Sequence, residues 1–158
     1  MMTDDKNVRI DLRTGEQITP KLLAFLNQYP DLQGDAIVFG DGSQESGLAM
    51  YPISGAVVVT EEEDITGHHT QECQYPFYLI YKVSTGSTSN RISIKEFLDD
   101  IGMWAEVQDY SGFDDLVDGL KVTAVSRQTP AYLDSREENN VENWAIYLTL
   151  YYTREWEE

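Results

Sequence analysis

The chain has 158 residues, and 41% of them are hydrophobic, which is enough to bury one core. Its 28 acidic and 11 basic residues give a net charge of −17, which argues against a surface that binds DNA, RNA or an anionic membrane. A simpler interpretation is that the acidity serves only solubility. No stretch reaches the roughly 20 apolar residues of a membrane-spanning helix. The first residues also lack the basic region followed by an apolar region that a secretory signal has. We therefore expect a soluble single domain over residues 1–158, made in the cytoplasm.

The first predicted elements are a helix and a brief strand. Residues 1–18 are polar and are expected to be loosely ordered. A short helix is predicted to begin at Thr19 and Pro20, because Thr can cap a helix and Pro suits its first turn, and the pattern ends at Pro30. Residues 36–39 then predict a brief strand, followed by a turn rich in Gly, Asp and Ser.

The middle of the chain predicts a β-hairpin. Residues 56–60 are apolar on both faces, as in a central strand, and residues 75–84 alternate between two sets of side chains. The polar stretch EEEDITGHHTQEC lies between them, so residues 61–72 are predicted to form a long projecting tip. The one cysteine, Cys73, cannot form an internal disulfide, which fits a reducing compartment.

A clear helix and two late strands complete the predicted fold. Ser93 and Glu96 have the spacing of a capping box, and apolar residues follow at helical spacing. The acidic segment 109–119 predicts a loop, and residues 120–126 and 144–152 alternate as strands do. This order of elements predicts an α+β fold, with a mostly antiparallel, mixed β-sheet and two main helices packed on one face.

The sequence offers little catalytic or metal-binding chemistry. His68 and His69 are adjacent, so in an extended segment they and Cys73 would converge on one metal only if the loop were sharply bent. The acid runs at 61–64 and 114–118 could suggest calcium, but the second lacks the ligand pattern of an EF-hand loop, and solvated charge runs are the preferred interpretation. The motifs of serine hydrolases, nucleotide-binding folds and zinc proteases are absent. We therefore predict no enzymatic activity, no catalytic residue, no cofactor and no metal site.

Aromatic residues are the remaining unusual feature, with 10 Tyr and 3 Trp. In the last strand one face carries Ala145, Tyr147, Thr149 and Tyr151, and the other carries the more apolar residues at positions 144, 146, 148, 150 and 152. Both faces therefore carry large side chains. One interpretation is a strand covered by a helix on one side and by another layer on the other. The alternative is that one face contacts another protein chain, because Tyr and Trp are favoured at interfaces.

Several blocks of the sequence resemble a known family. The blocks are SGLAMYPISGAVVVTEEEDITG, QYPFYLIYKVST, FLDDIGMWAE and VSRQTPAYLDSREENNVENWAIYLTLYYTRE. They resemble the small tail terminator proteins of long-tailed bacteriophages and prophages of Gram-positive hosts, which are also labelled tail completion or minor capsid proteins. The resemblance covers about residues 20–153, and its most specific part is TPAYLDSREENNVENWAIYLTL.

The resemblance implies a non-enzymatic structural protein of the virion. Proteins of this family are similar to small α+β domains that form a ring, commonly a hexamer, on the head-proximal end of the tail tube. The ring stops tube growth and offers a surface to the head. The implied partners are further copies of the chain, the tail tube protein and a head-completion or connector protein. DNA is implied only as cargo that passes through an acidic lumen, and no membrane is involved. The implied location is the host cytoplasm during assembly and then the head–tail junction of the virion.

Two segments are predicted as contacts of a ring subunit. A ring closes through two different surfaces of each copy, and the projecting tip 61–72 and the corner near Pro130 are suited to such contacts. The predicted interface residues are His68, His69, Arg127, Pro130, Tyr132, Asp134, Arg136 and Trp144. The alternative interpretation of the corner is an ordinary surface hairpin.

Two other functions fit the same sequence. A head–tail connector or stopper protein would bind the portal side instead of the tube. An acidic protein that mimics DNA and inhibits a nucleic-acid-binding protein would be covered with carboxylates and would bind a basic partner in a salt-sensitive way.

Overall fold

The structure is a computed structural model that describes residues 18–32, 36–40, 46–53, 57–84, 87–108, 110 and 120–157. Helix α1 covers residues 18–26 and helix α2 spans Thr88–Glu106. The strands are β1 Val38–Phe39, β2 Gly47–Pro52, β3 Val57–Glu63, β4 His68–Ser84, β5 Leu120–Arg127, β6 Tyr132–Arg136 and β7 Val141–Glu157, with a 3-10 turn at Glu138–Asn140. The predicted α+β class is confirmed.

Two long strands, β4 and β7, form the middle of a mixed seven-stranded sheet in the described part of the chain. Each is 17 residues long, and they pair antiparallel from end to end. The outer edge of β4 pairs first with β3 and then with β2, while the outer edge of β7 pairs with β6 and β5. Strand β1 extends β2 in parallel. Short strands therefore share the two sides of one long antiparallel pair.

Pro76 lies inside β4 without breaking it. β3 pairs with β4 as far as Gln74, and β2 begins to pair at Phe77. Pro76 lies between these two stretches, where no residue of β2 or β3 pairs with it. The N–H that proline lacks is therefore not needed for strand pairing on this side of β4.

Both helices pack on one face of the sheet. This face carries the odd-numbered residues of β4 and the even-numbered residues of β7, which face each other in register. The largest fully buried side chains, taken from the helices and from this face, are Tyr75, Phe77, Leu22, Leu26, Leu48, Met50, Leu79, Leu98, Ile101, Ile146, Leu148 and Leu150. Each contributes about 1.5–3 kcal/mol when it is removed from water. The core therefore lies between the helices and this face.

Helix α2 begins earlier than predicted. Its cap is Ser87, whose Oγ accepts a hydrogen bond from the Asn90 N–H at 3.2 Å, so Ser93 and Glu96 lie inside the helix. At Gly102 a Cβ would come within 2.7 Å of the Arg127 side chain and 2.8 Å of Ile146 Cδ1. The helix therefore approaches the sheet most closely where it has no side chain.

Other predictions need correction. Thr19 is not the cap of α1, because Ile18 is already helical, and the Thr19 hydroxyl bonds to that of Tyr75. The strand predicted at 56–60 is not central, because within the described part of the chain β3 pairs with β4 alone. Residues 61–72 do not form a long tip, because most of them extend β3 and β4 and the turn covers only 64–67.

The predicted corner near Pro130 leads directly into a strand. Residues 132–136 form β6, which pairs with β7 around a bulge between Leu133 and Ser135. The last strand is longer than predicted, because β7 continues on both sides of 144–152. Residues 1–17, most of the Gly-rich turn after β1 and most of the predicted loop 109–119 lie outside the described residues.

Candidate interaction surface

A group of tyrosines occupies the face of the sheet that α1 and α2 do not cover. We define the tyrosine face by Tyr51, Tyr78, Tyr132, Tyr147 and Tyr151, all of which are half-buried. The register places Tyr51 beside Tyr78, and Tyr78 beside Tyr147, in one row across β2, β4 and β7. Tyr147 and Tyr151 share β7, but Tyr51, Tyr78 and Tyr132 are brought beside them only by the pairing of the strands.

The tyrosine rings on this face contact one another. The centroids of Tyr78 and Tyr147 are 5.1 Å apart with the rings tilted by 44°, a favourable aromatic arrangement. Burial raises the pKa of Tyr132, and its neighbours Tyr78 and Asp134 raise it further. Gln128 Nε2 donates to the Tyr151 hydroxyl at 3.2 Å. The rings are thus held in place before any partner binds.

The central part of the tyrosine face is uncharged. Positions 74, 76, 78 and 80 of β4 and 145, 147, 149 and 151 of β7 carry no charged side chain over about 20 Å of strand. Exposed acids lie beyond both ends, with Glu62 and Glu72 at one end and Asp134 and Glu138 at the other. A neutral aromatic surface between acidic ends is suited to bind protein, since interface centres are depleted in charge and enriched in Tyr.

The turn between β3 and β4 is a rigid acidic tip. The Asp64 carboxylate accepts hydrogen bonds from the Thr66 hydroxyl at 2.6 Å, from the Thr66 N–H at 2.8 Å and from the His68 N–H at 3.1 Å. The bond from the Thr66 side chain is the largest cause that holds the pKa of Asp64 below its ordinary value. Gly67 adopts φ 88°, which favours glycine, and Ile65 is fully exposed.

Polar side chains cross the strands behind this tip on the helix-covered face. Glu61, Gln71 and Arg154 are directly opposite one another on β3, β4 and β7. The Gln71 amide donates to Glu61 and accepts from Arg154. Burial lowers the pKa of Arg154 to about 10. This row continues the sheet where few apolar residues are present, which explains why the tip was predicted to be longer.

The two predicted histidines differ in exposure. His68 is half-buried, and its Nε2 lies 3.7 Å from a Glu155 carboxylate oxygen. His69 is buried, and its Nε2 lies 3.5 Å from a Glu63 carboxylate oxygen. Only His68 therefore offers appreciable surface to a neighbouring chain.

The predicted corner residues lie at the other end of the sheet. His69 and Tyr81, which pairs with Trp144, are 12 residues apart on β4, or about 40 Å. Pro130 and Asp134 are exposed, and Tyr132 belongs to the tyrosine face. The structure thus brings Tyr132, Asp134 and Arg136 together on β6 and separates them from the two histidines.

The other two predicted contact residues, Arg127 and Trp144, are held within the chain. Arg127 Nε donates to Glu106 at 2.7 Å, and its backbone N–H donates to the same carboxylate at 3.2 Å. Trp144 is buried on the helix-covered face. Arg127 also lines an open cavity of about 260 Å³ with Gln128 and Pro130.

A buried carboxylate was missed by the sequence analysis. Glu142 accepts from Arg91 Nε at 3.2 Å, from Arg136 Nε at 2.9 Å and from Trp144 Nε1 at 3.1 Å. It joins α2, β6 and β7. Its position in the same even-numbered series of β7 as Trp144 and Ile146 could have indicated that it faces the core.

The described residues contain no group of three or more His, Cys, Asp or Glu placed to hold a metal ion. Neither α1 nor α2 has the length and apolar character needed to cross a membrane. A second open cavity, of about 300 Å³, adjoins Tyr151 on the tyrosine face and is lined also by Gln74, Thr123 and Thr153.

The chain was compared with models of known protein families and with curated proteins, and neither comparison gave a match.

Proposed function

We propose that the chain is a non-enzymatic structural subunit of a bacteriophage or prophage tail, a tail terminator. In this role, copies of it form a ring on the head-proximal end of the tail tube. The ring stops growth of the tube and provides the surface to which the head is joined. The sequence resemblance introduced this hypothesis, and the tyrosine face is the structural observation that supports it best.

The tyrosine face supports an assembly role because it is built for protein contact. Its rings are pre-positioned by the sheet and by contacts such as Tyr78–Tyr147, so little side-chain freedom is lost on binding. Its phenols donate and accept hydrogen bonds around an apolar body, as interface tyrosines do. The surrounding positions, including Thr149 and Ile80, are small or neutral.

The distribution of charge is consistent with the same role. Exposed acids lie at both ends of the β4–β7 pair, with Glu62 and Glu138 among them. In a ring whose axis runs along the strands, these acids would lie at the two rims of the lumen and repel the phosphates of passing DNA. Replacement of such acids by Lys is expected to slow DNA ejection, and unchanged ejection would argue against a lumen position for them.

The direct test is electron microscopy of the purified protein mixed with tail tubes that lack a terminator. We expect a distinct cap at one tube end and an end to tube growth. Tubes that continue to grow while the protein stays free would overturn the terminator role. Binding to the portal complex instead would favour the connector, and binding to a basic nucleic-acid-binding protein would favour the acidic decoy. The Tyr147→Ala variant tests whether this contact is made through the tyrosine face.

A further inference from the structure

We propose that the outer edge of β3 in one copy pairs with the outer edge of β5 in the next, so that a continuous antiparallel sheet connects the copies. This inference rests on the proposed function, because it names the contact by which copies of the chain associate. The partner on each edge is therefore a second copy of this chain.

Both edges are available among the described residues. β3 pairs with β4 alone and β5 with β7 alone, so each has one side without a described strand. Unpaired backbone N–H and C=O groups on such an edge can pair with another strand. On β3, Val58 and Val59 are 39% and 51% exposed. The two edges therefore lie on opposite sides of a four-stranded ribbon in the order β3, β4, β7, β5.

The strand directions suit a cyclic arrangement. Each neighbouring pair in this ribbon is antiparallel, so β3 and β5 run in opposite directions within one copy. Rotation about an axis roughly parallel to the strands preserves their direction. A neighbour's β5 would therefore meet β3 antiparallel without any inversion of the copy, and the contact is heterologous, as a ring requires.

The two edges also lie at the same level. Thr60 is opposite Glu72, Glu72 is opposite Thr153, and Thr153 is opposite Lys121. These residues form one row on the side of the sheet that carries the tyrosine face. Rotation without a shift along the strands therefore brings Lys121 of one copy beside Thr60 of the next. Glu62, two residues farther along β3 on the same face, becomes its diagonal neighbour and is within reach of a lysine side chain.

Charge favours this pairing over its alternatives. Residues 61–63 of β3 are three glutamates, whereas β5 carries Lys121 and no acid, and its other basic residue, Arg127, is paired with Glu106 in its own copy. Two β3 edges brought together would oppose like charges, which is destabilising and keeps identical edges apart. An edge with Lys121 relieves this repulsion.

The test combines cysteine crosslinking with tube capping. One variant carries Thr60→Cys, a second carries Glu62→Cys for a junction shifted along the strands, and a third carries Lys121→Cys, all with Cys73→Ser. Each β3 variant is mixed with the β5 variant, oxidised with and without terminator-free tubes, and analysed for a disulfide-linked pair. Facing residues of paired strands are close enough for such a bond. Glu96→Cys, on the exposed side of α2, replaces the β3 cysteine in the control mixture.

A charge-reversal series provides a second readout. Glu62→Lys and Lys121→Glu are each expected to raise the protein concentration needed for assembly by about fivefold or more, and the double variant should restore it. Glu96→Lys and Lys21→Glu, which reverse exposed charges on α2 and α1, are expected to have little effect.

The outcomes separate this inference from the proposed function. Crosslinks through Thr60→Cys or Glu62→Cys, together with rescue by the double reversal, would support the junction. Capped tubes without any crosslink or charge effect would overturn the junction but leave the terminator role. Crosslinked rings that fail to stop tube growth would overturn the terminator role but leave the junction. A crosslink from β3 to the tube protein, or no association at all, would overturn the junction.

Discussion

Arg91 of α2 and Glu142 of β7 join the helix layer to the sheet, with Arg91 Nε 3.2 Å from each carboxylate oxygen of Glu142. Glu142 is only 2% exposed. Burial of a carboxylate is costly unless charged or polar donors surround it, and Arg136 and Trp144 complete the set here. Glu142 therefore adds a polar contact to the apolar packing of α2 on the β6–β7 hairpin.

Glu142→Gln should destabilise the fold by about 2–4 kcal/mol, because the amide keeps the shape but loses the charge that binds two guanidinium groups. The free energy of unfolding in urea measures this. Glu138→Gln, a change at an exposed position, serves as the control and should alter stability by no more than about 0.5 kcal/mol. Equal stability of the two variants would show that the buried contact contributes little.

Gly102→Ala should also destabilise the protein, by about 1–3 kcal/mol, because the new methyl would overlap the Arg127 stem and Ile146. On an exposed helix the same change would stabilise by about 1 kcal/mol, so the sign distinguishes the two cases. Thermal unfolding measures the change. A double-mutant cycle with Arg127→Ala should show a smaller penalty for the added methyl. A stabilising Gly102→Ala would mean that α2 can move away from the sheet without cost.

Hydrophobic alternation identified the middle of the long strands but not their ends. The segment from Tyr75 to Leu79 and the segment from Trp144 to Tyr152 alternate clearly, because one face of each lies under the helices. At the ends the sheet continues through polar rows such as Glu61, Gln71 and Arg154, which carry no apolar pattern. Strand β6 was missed for a related reason, since it pairs only with β7 among the described strands and three of its five residues are exposed.

The candidate surface was only partly predictable. Tyr147 and Tyr151 could be placed on one face of the last strand from their spacing. Their proximity to Tyr78 and Tyr51 depends on the strand register, which single-sequence patterns do not determine. The predicted start of α2 at Ser93 was wrong for a simpler reason: Ser87 and Ser93 both precede helical sequence, and the structure shows that Ser87 is the cap.

Stability should fall at alkaline pH through buried tyrosines. Burial raises the pKa of Tyr75, Tyr110 and Tyr152 above the ordinary value of 10.0. Because these pKa values are raised in the folded state, the stabilisation is fully present below pH 10.0 and is lost as the pH rises toward the folded values. The absorbance of tyrosinate and circular dichroism should therefore change together in an alkaline titration. Tyr152→Phe should make the loss of stability less steep, and an unchanged titration would contradict this assignment.

Asp64→Ala should loosen the β3–β4 turn without unfolding the core. The substitution removes the acceptor for the Thr66 and His68 amides, so their hydrogen exchange should become faster. In the unaltered chain the lowered pKa of Asp64 means that this contribution is present above its ordinary value of 3.8 and is lost as the pH falls. Glu62→Ala, on the adjacent strand, is the control and should leave both amides protected. Slow exchange in Asp64→Ala would show that the strand pairing alone holds the turn.

Tyr147→Ala should weaken tube capping, because the substitution removes a ring from the middle of the tyrosine face. Loss of a central aromatic contact costs about 2 kcal/mol or more, so about 30-fold more protein should be needed to cap the same number of tubes. The lost contact with Tyr78 also lowers the stability of the chain by about 0.5–1.5 kcal/mol, so capping must be compared at a temperature where both proteins are folded.

Tyr147→Phe, which keeps the ring, should cap almost as well as the unaltered chain. Met103→Ala removes a side chain that is 51% exposed on α2 and is the matched control. Equal loss of capping in Met103→Ala and Tyr147→Ala would show that the loss is not specific to the tyrosine face, and no loss in Tyr147→Ala would exclude the centre of that face as the assembly surface.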